Sequence, residues 1–171
     1  SAVNGQWKEM IGANTSVSWP AGVGGKGNEG VAGLIRQTPG AIGYVELAYA
    51  KQNHLPVAAV RNRAGKFVAP SLASTTAAVA AAAAALAKDV RTPIVNAGTP
   101  DAYPIAGLTF LLVYQQSKDP ERGRAVAEFI RWAIHDGQAY AEPLDYARLP
   151  DAVVKVNEQA LALLAGGAKK K

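Results

Sequence analysis

Cysteine is absent from all 171 residues, which excludes disulfide frameworks, cysteine zinc sites and thiol nucleophiles. With only two histidines, His54 and His135, there is little from which to build a metal centre, and neither sits in a pattern that suggests a catalytic triad. No G-x-S-x-G occurs, so the nucleophile elbow of hydrolases is missing as well. The longest apolar run, Ala77 to Ala87, is too short and too alanine-rich to span a bilayer. No stretch resembles a signal peptide, and for an exported chain the targeting segment is expected to be removed or to lie upstream. Without a nucleophile, a metal set or a paired acid, the sequence does not read as an enzyme, and no cofactor is expected.

Apolar residues make up 49% of the chain, enough to bury one real core. The net charge of +5 includes Lys169, Lys170 and Lys171 at the end, so the body is only mildly basic. Its Lys and Arg residues are scattered and not gathered on one helix or stripe, which argues against nucleic acid as a partner.

Along the chain, strand signals alternate with helix signals, and the fold class expected is α/β. A short helix is predicted over Gln6 to Gly12, a strand over Thr15 to Trp19, and a helix from an Asn28 N-cap to about Gln37. Ile42 to Val45 reads as a short strand. Val57 to Val60 and Phe67 to Ala69 read as a hairpin turning at Ala64-Gly65. Leu72 to Asp89 is an alanine-dominated helix, because alanine loses no side-chain entropy there. The segment from Arg91 to Pro104 holds three prolines and reads as an irregular connection. Leu108 to Tyr114 is read as a buried strand. Pro120 opens a helix with an apolar stripe of Ala125, Val126, Phe129, Ile130, Ala133 and Ile134. Tyr140 to Leu149 is loop, Asp151 to Ala165 is a last amphipathic helix, and residues 166–171 are expected to be disordered.

One glycine-rich loop, Gly22-Val23-Gly24-Gly25-Lys26-Gly27, admits three readings. It satisfies G-x-G-x-x-G between a predicted strand and a predicted helix, and Glu46 falls near the position of a ribose-binding acid. A dinucleotide-binding α/β domain using Gly22, Gly24, Gly27 and Glu46 is therefore an alternative. A P-loop fails, because Gly27 stands where Ser or Thr would hold magnesium. In the third reading, backbone N–H groups around Gly25, Gly27 and Asn28, with the Lys26 cation beside them, attract an oxyanion at a helix N-terminus. The bland counterpart is a tight turn with Lys26 in solvent.

The run from Val17 to Glu46, with its Ser18-Trp19-Pro20, Asn28-Glu29 and Tyr44-Val45-Glu46 landmarks, resembles the phosphate-binding proteins that feed the ABC phosphate importer. Tyr103-Pro104-Ile105 leading to the strand at Thr109, Trp132-Ala133, and Leu144 to Asp151 agree in order. The resemblance implies a periplasmic, type II binding-protein fold of two α/β lobes, of which this chain is an incomplete C-terminal part. Residues 1–105 would be a remnant of the second lobe, and residues 106–165 a return strand with helices that pack on the first.

In such a protein phosphate is held mainly by first-lobe loops and by an Arg-Ser-Asp-Gly-Ser-Gly-Thr segment that would lie just ahead of this chain. No direct phosphate ligand is therefore assigned here. Gly25, Lys26, Gly27, Asn28 and Glu29 are supporting candidates, and Tyr44 and Glu46 belong to the hinge or cleft rim. The implied partners are inorganic phosphate and the importer's membrane subunits, and the isolated chain is expected to bind phosphate weakly or not at all. Apolar faces at Phe129, Ile130, Leu161 and Leu164 would then pack onto the second-lobe remnant, pair between copies, or need the missing N-terminal portion. His54 is expected in solvent, His135 at a helix C-terminus, and Trp19 and Trp132 in the core.

Overall fold

The computed structural model describes residues 3–14 and 16–166. By its contacts the chain forms two compact bodies, one ending at Ala58 and one beginning at Ala59.

The first body holds three helices. Helix α1, Gly5–Met10, starts where Asn4 Oδ1 accepts the Trp7 N–H at 2.9 Å, and it stops at Gly12, whose φ of +82° only glycine adopts freely. Helix α2, Gly27–Gln37, begins one residue before the predicted cap, with Lys26 and not Asn28 at the N-cap. The Asn28 side chain is committed elsewhere: its Oδ1 accepts the backbone N–H of Glu46 at 3.0 Å. Helix α3, Leu47–Gln52, buries Ala48 and Ala50.

Two strands expected in this body do not form. Residues 16–19 have no pairing strand among the described residues, and residue 15 lies outside them. Residues 42–45 run as irregular chain, because Gly43 lies against α2 so closely that a Cβ there would come within 2.7 Å of the Ile35 side chain.

The second body opens with a hairpin, β1 Val60–Arg61 and β2 Phe67–Val68, antiparallel with Val60 opposite Val68. Gly65 turns it at φ +82°. Asn62, only 5% exposed, fixes the hairpin in place. Its Nδ2 donates to the carbonyls of Pro100 at 2.8 Å and Ala102 at 3.1 Å, and its Oδ1 accepts the Lys66 N–H at 3.1 Å.

Helix α4, Leu72–Leu86, is nucleated by a reciprocal cap in which Ser71 and Ser74 each bond the other's backbone. It ends three residues short of the predicted Asp89, which instead binds Arg91 through both carboxylate oxygens at 2.9 Å. The hydrogen bond from that guanidinium, and second the one from the Arg91 backbone N–H, pull the Asp89 carboxyl from the ordinary 3.8 down to about 2.

Helix α5, Pro120–Ile134, is capped by Asp119 and buries Ala127 and Ile134. Two 3-10 turns, Asp136–Tyr140 and Glu142–Leu144, lead toward α6, Asp151–Gly166. Gln138 ties this connection together, donating to the Ala133 carbonyl at 2.7 Å and accepting the Leu149 N–H at 2.8 Å. Gly166, placed by the sequence in a disordered tail, instead closes α6, and residues 167–171 of that expectation lie outside the described residues.

Helix α6 packs against both α4 and α5. The core joins Ala78, Val79 and Leu86 of α4 to Ile94, Ala102, Ala106 and Val153. It is built largely of alanine, and among the described residues Leu86 is the one large side chain that is fully buried. Leu161 is buried and Ile130 and Leu164 are half-buried, but Phe129 is 58% exposed, so the stripe of α5 is only partly covered. Residues 108–114 are not the predicted buried strand: among the described residues they pair with no other strand, and Leu112 is 93% exposed.

Removing the Asn62 amide would strand the buried Ala102 carbonyl and the part-buried Pro100 carbonyl. Asn62→Ala is expected to lower unfolding stability by about 1–3 kcal/mol in a denaturant titration, with no loss of helix signal in the folded baseline.

Candidate functional site

The glycine loop and the first turn of α2 are held by close backbone contact. A Cβ on Gly25 would sit 2.6 Å from the Val31 nitrogen and 2.7 Å from the Gly30 carbonyl carbon, so any other residue would push the loop off the helix. Gly27 has φ +66°, and a Cβ there would meet the Glu29 carboxylate at 2.9 Å. A Cβ on Gly24, by contrast, would meet nothing within 4 Å.

Two side chains tie this turn to the segment that starts α3. Asn28 accepts from the Glu46 backbone, as described, and the Tyr49 hydroxyl donates to Glu29 Oε1 at 2.9 Å. The Glu29 carboxyl is held below the ordinary carboxylate range, first by its own backbone amide and second by Tyr49. A carboxylate thus already stands before the amides of the helix N-terminus, where the positive end of the helix dipole favours negative charge.

Asn28, Glu29 and the backbone of Glu46 are therefore brought together, with Glu46 as the N-cap residue of α3. Lys26 is exposed. Tyr44, 75% exposed, belongs to a different cluster. It stacks on Trp19 at 6.2 Å, and Trp19 meets Trp7 edge-on at 5.3 Å. Trp19 is 56% exposed and Trp132 45%, so neither is the core residue expected. Trp132 instead lies in an exposed aromatic row with Phe129 and Tyr140, at centroid distances of 5.9 and 6.0 Å.

Beside the first cluster lies an open pocket of about 410 Å³, lined by Trp7, Asn14, Ser16, Trp19 and Tyr44 among others. Among the described residues no Lys or Arg lines it, so it offers aromatic rings and neutral polar groups such as Asn14 and Ser16, not the dense cationic and N–H donor set that a phosphate dianion needs. His54 is exposed, as expected, and His135 stands at the C-terminus of α5, where its Nε2 lies 3.0 Å from Glu158 Oε1 of α6.

The profile of the PBP superfamily domain matches residues 2–136. The chain belongs to the PBP superfamily. Its sequence is 46% identical over 155 residues to Phosphate-binding protein PstS of Xylella fastidiosa (strain 9a5c), covering 91% of this chain and 43% of that protein. Phosphate-binding protein PstS of Pasteurella multocida (strain Pm70) is 42% identical over 155 residues, covering 91% of this chain and 45% of its own length. The protein of the same name in Methanocaldococcus jannaschii is 35% identical over 181 residues, covering 96% of this chain and 46% of its own length. The chain spans less than half the length of these relatives.

Within a PBP superfamily domain the dinucleotide alternative loses its setting. Its fingerprint needs a strand feeding the loop, and residues 16–19 are not one. Glu46 caps a helix and does not close a second strand. Sequence reasoning missed Tyr49, the partner of Glu29, because a hydrogen bond across twenty positions leaves no local signal. The aromatic stack was half visible, since Trp7, Trp19 and Tyr44 each stand out but their adjacency does not.

Tyr49→Phe removes one of the two bonds that depress Glu29. Its titration midpoint, read by carboxyl NMR, should move up toward the ordinary 4.5 while staying below it, since the backbone bond remains. A depressed carboxyl stabilises the fold above its unfolded pKa and loses that effect as pH falls through the folded one, so the variant's acid sensitivity should begin at higher pH. An unmoved midpoint would contradict the geometry.

Proposed function

We propose that this chain is part of a periplasmic substrate-binding protein that captures inorganic phosphate and delivers it to the membrane subunits of an ABC-type importer. The observation that carries the reading is the 46% identity, over 91% of the chain, to a protein named for phosphate binding. In this reading residues 1–105 are the remnant of a second lobe, and residues 106–165 are the return strand and helices that pack on a first lobe. The lobes close around the anion, backbone N–H groups and an arginine neutralise it, and no covalent chemistry occurs.

The glycine loop then serves as support. Gly25 and Gly27 let the backbone turn tightly into α2, Lys26 adds positive charge at the rim, and Asn28 and Glu29 fix the turn against the segment after Tyr44 and Glu46. Glu29 itself disfavours a second anion at the same helix end, because like charges at contact distance repel. The direct ligands belong to the more than half of the relatives' length that lies beyond this chain.

Isothermal titration of the isolated chain with phosphate and with sulfate tests this. Weak binding or none is expected for both anions. Submicromolar phosphate affinity, with sulfate rejected, would overturn the assignment of the ligands to the rest of the protein.

A further inference from the structure

We propose that the tip of the β1–β2 hairpin, Arg61, Arg63 and Lys66 with Phe67 beside them, is a contact surface for the anionic headgroups of a lipid bilayer. Such a contact goes beyond the phosphate reading and does not depend on it. Within that reading the hairpin belongs to residues 1–105 and not to the segment assigned to a first lobe.

Three cations stand within the six residues from Arg61 to Lys66, and no Asp or Glu occurs between Glu46 and Asp89. The turn gathers their charges. A Cβ on Gly65 would meet Arg61 Nη2 at 3.7 Å, so the guanidinium folds back over the turn that carries Arg63 and Lys66. All three are exposed, and among the described residues none forms an ion pair or a side-chain hydrogen bond. Asp101 lies in the loop that Asn62 holds, yet it pairs with none of them. The backbone beneath is fixed: the Asn62 N–H donates to the Lys66 carbonyl at 2.8 Å and the Gly65 N–H to the Asn62 carbonyl at 2.9 Å. The cations are thus held together with no carboxylate to offset them, and an external anion relieves their repulsion.

Phe67 decides the class of anion. It stands opposite Arg61 on the outer face of the hairpin and is 73% exposed, while Val60 and Val68, the other cross-strand pair, are half-buried on the inner face. A bare aromatic ring beside clustered cations suits the boundary of a bilayer, where the ring enters the acyl region and the cations meet the phosphates. A free oxyanion would use the cations and leave the ring in water. Covering the tip with further apolar chain would strand three charges, whereas a headgroup layer accepts charges and ring together. Each Lys or Arg near an anionic surface strengthens binding roughly fivefold, so the three together supply on the order of a hundredfold over a neutral surface.

Co-sedimentation of the chain with vesicles at low salt is the test, using phosphatidylcholine alone and an equal mixture of phosphatidylcholine and phosphatidylglycerol. Two variants carry the same loss of charge. R61Q/R63Q/K66Q neutralises the hairpin, and K118Q/R122Q/R124Q neutralises three exposed cations that neighbour Asp119 and Glu121 at the start of α5. Wild type should bind the mixed vesicles and not the neutral ones, and added salt should release it. The hairpin variant should bind on the order of a hundredfold more weakly with unchanged circular dichroism, while the α5 variant binds like wild type. Phe67→Ser should weaken binding and leave its salt dependence in place. No binding to the mixed vesicles, equal binding to the neutral ones, equal loss in the two charge variants, a hairpin variant that binds like wild type, or unweakened binding by F67S would each overturn the proposal. So would hairpin-dependent retention on poly-L-glutamate as tight as on the vesicles, which would assign the cations to an acidic polypeptide.

Discussion

A β-strand is stable only beside another strand, and that constraint shapes most of what this chain does and fails to do. Each residue of a strand turns its N–H and C=O sideways, where a neighbour or water must satisfy them. In the hairpin the neighbour is a few residues away, so Val60–Arg61 and Phe67–Val68 form. At residues 16–19, 42–45 and 108–114 no strand lies alongside among the described residues, and the chain stays irregular. Helices satisfy their own backbones, which is why six α-helices persist among the described residues where the sheet does not.

The helices must still bury an apolar face, and the faces available are thin. Alanine makes α4 easy to form but gives each contact little area, so the core depends on close approach between α4 and α6 and not on large side chains. Polar pins compensate locally. Asn62 holds the hairpin to the 99–102 loop, and Gln138 holds the turn after α5 to the segment before α6. The same logic operates in the first body, where Asn28 and Glu29 fasten one helix start to another through two hydrogen bonds.

The sequence was most legible where structure is local. The hairpin turn at Gly65, the Ser71 entry to α4, the Pro120 entry to α5 and the end of α1 at Gly12 all follow from residues within a few positions of one another. Periodicity located every long helix. It misjudged Leu108 to Tyr114, because an apolar run reports a wish to be buried without supplying the neighbour that would bury it. Gly43 was the overlooked warning in the 42–45 run, since a glycine inside a strand pattern marks close backbone approach, here to Ile35. The candidate site was legible as a turn of unusual glycine content. Its hydrogen-bond partners were not, because Tyr49 and Glu46 reach it from eighteen to twenty residues downstream.

Hydrogen–deuterium exchange at high dilution tests the central constraint most directly. If strands here form only beside a neighbour, amides of residues 108–114 and 42–45 should exchange at nearly the rate of unstructured chain, while those in the middle of α4 and α6 are protected. Protection of residues 108–114 equal to that of α4, in a sample shown to be monomeric, would mean that the run is already paired within one copy, and the account would fail.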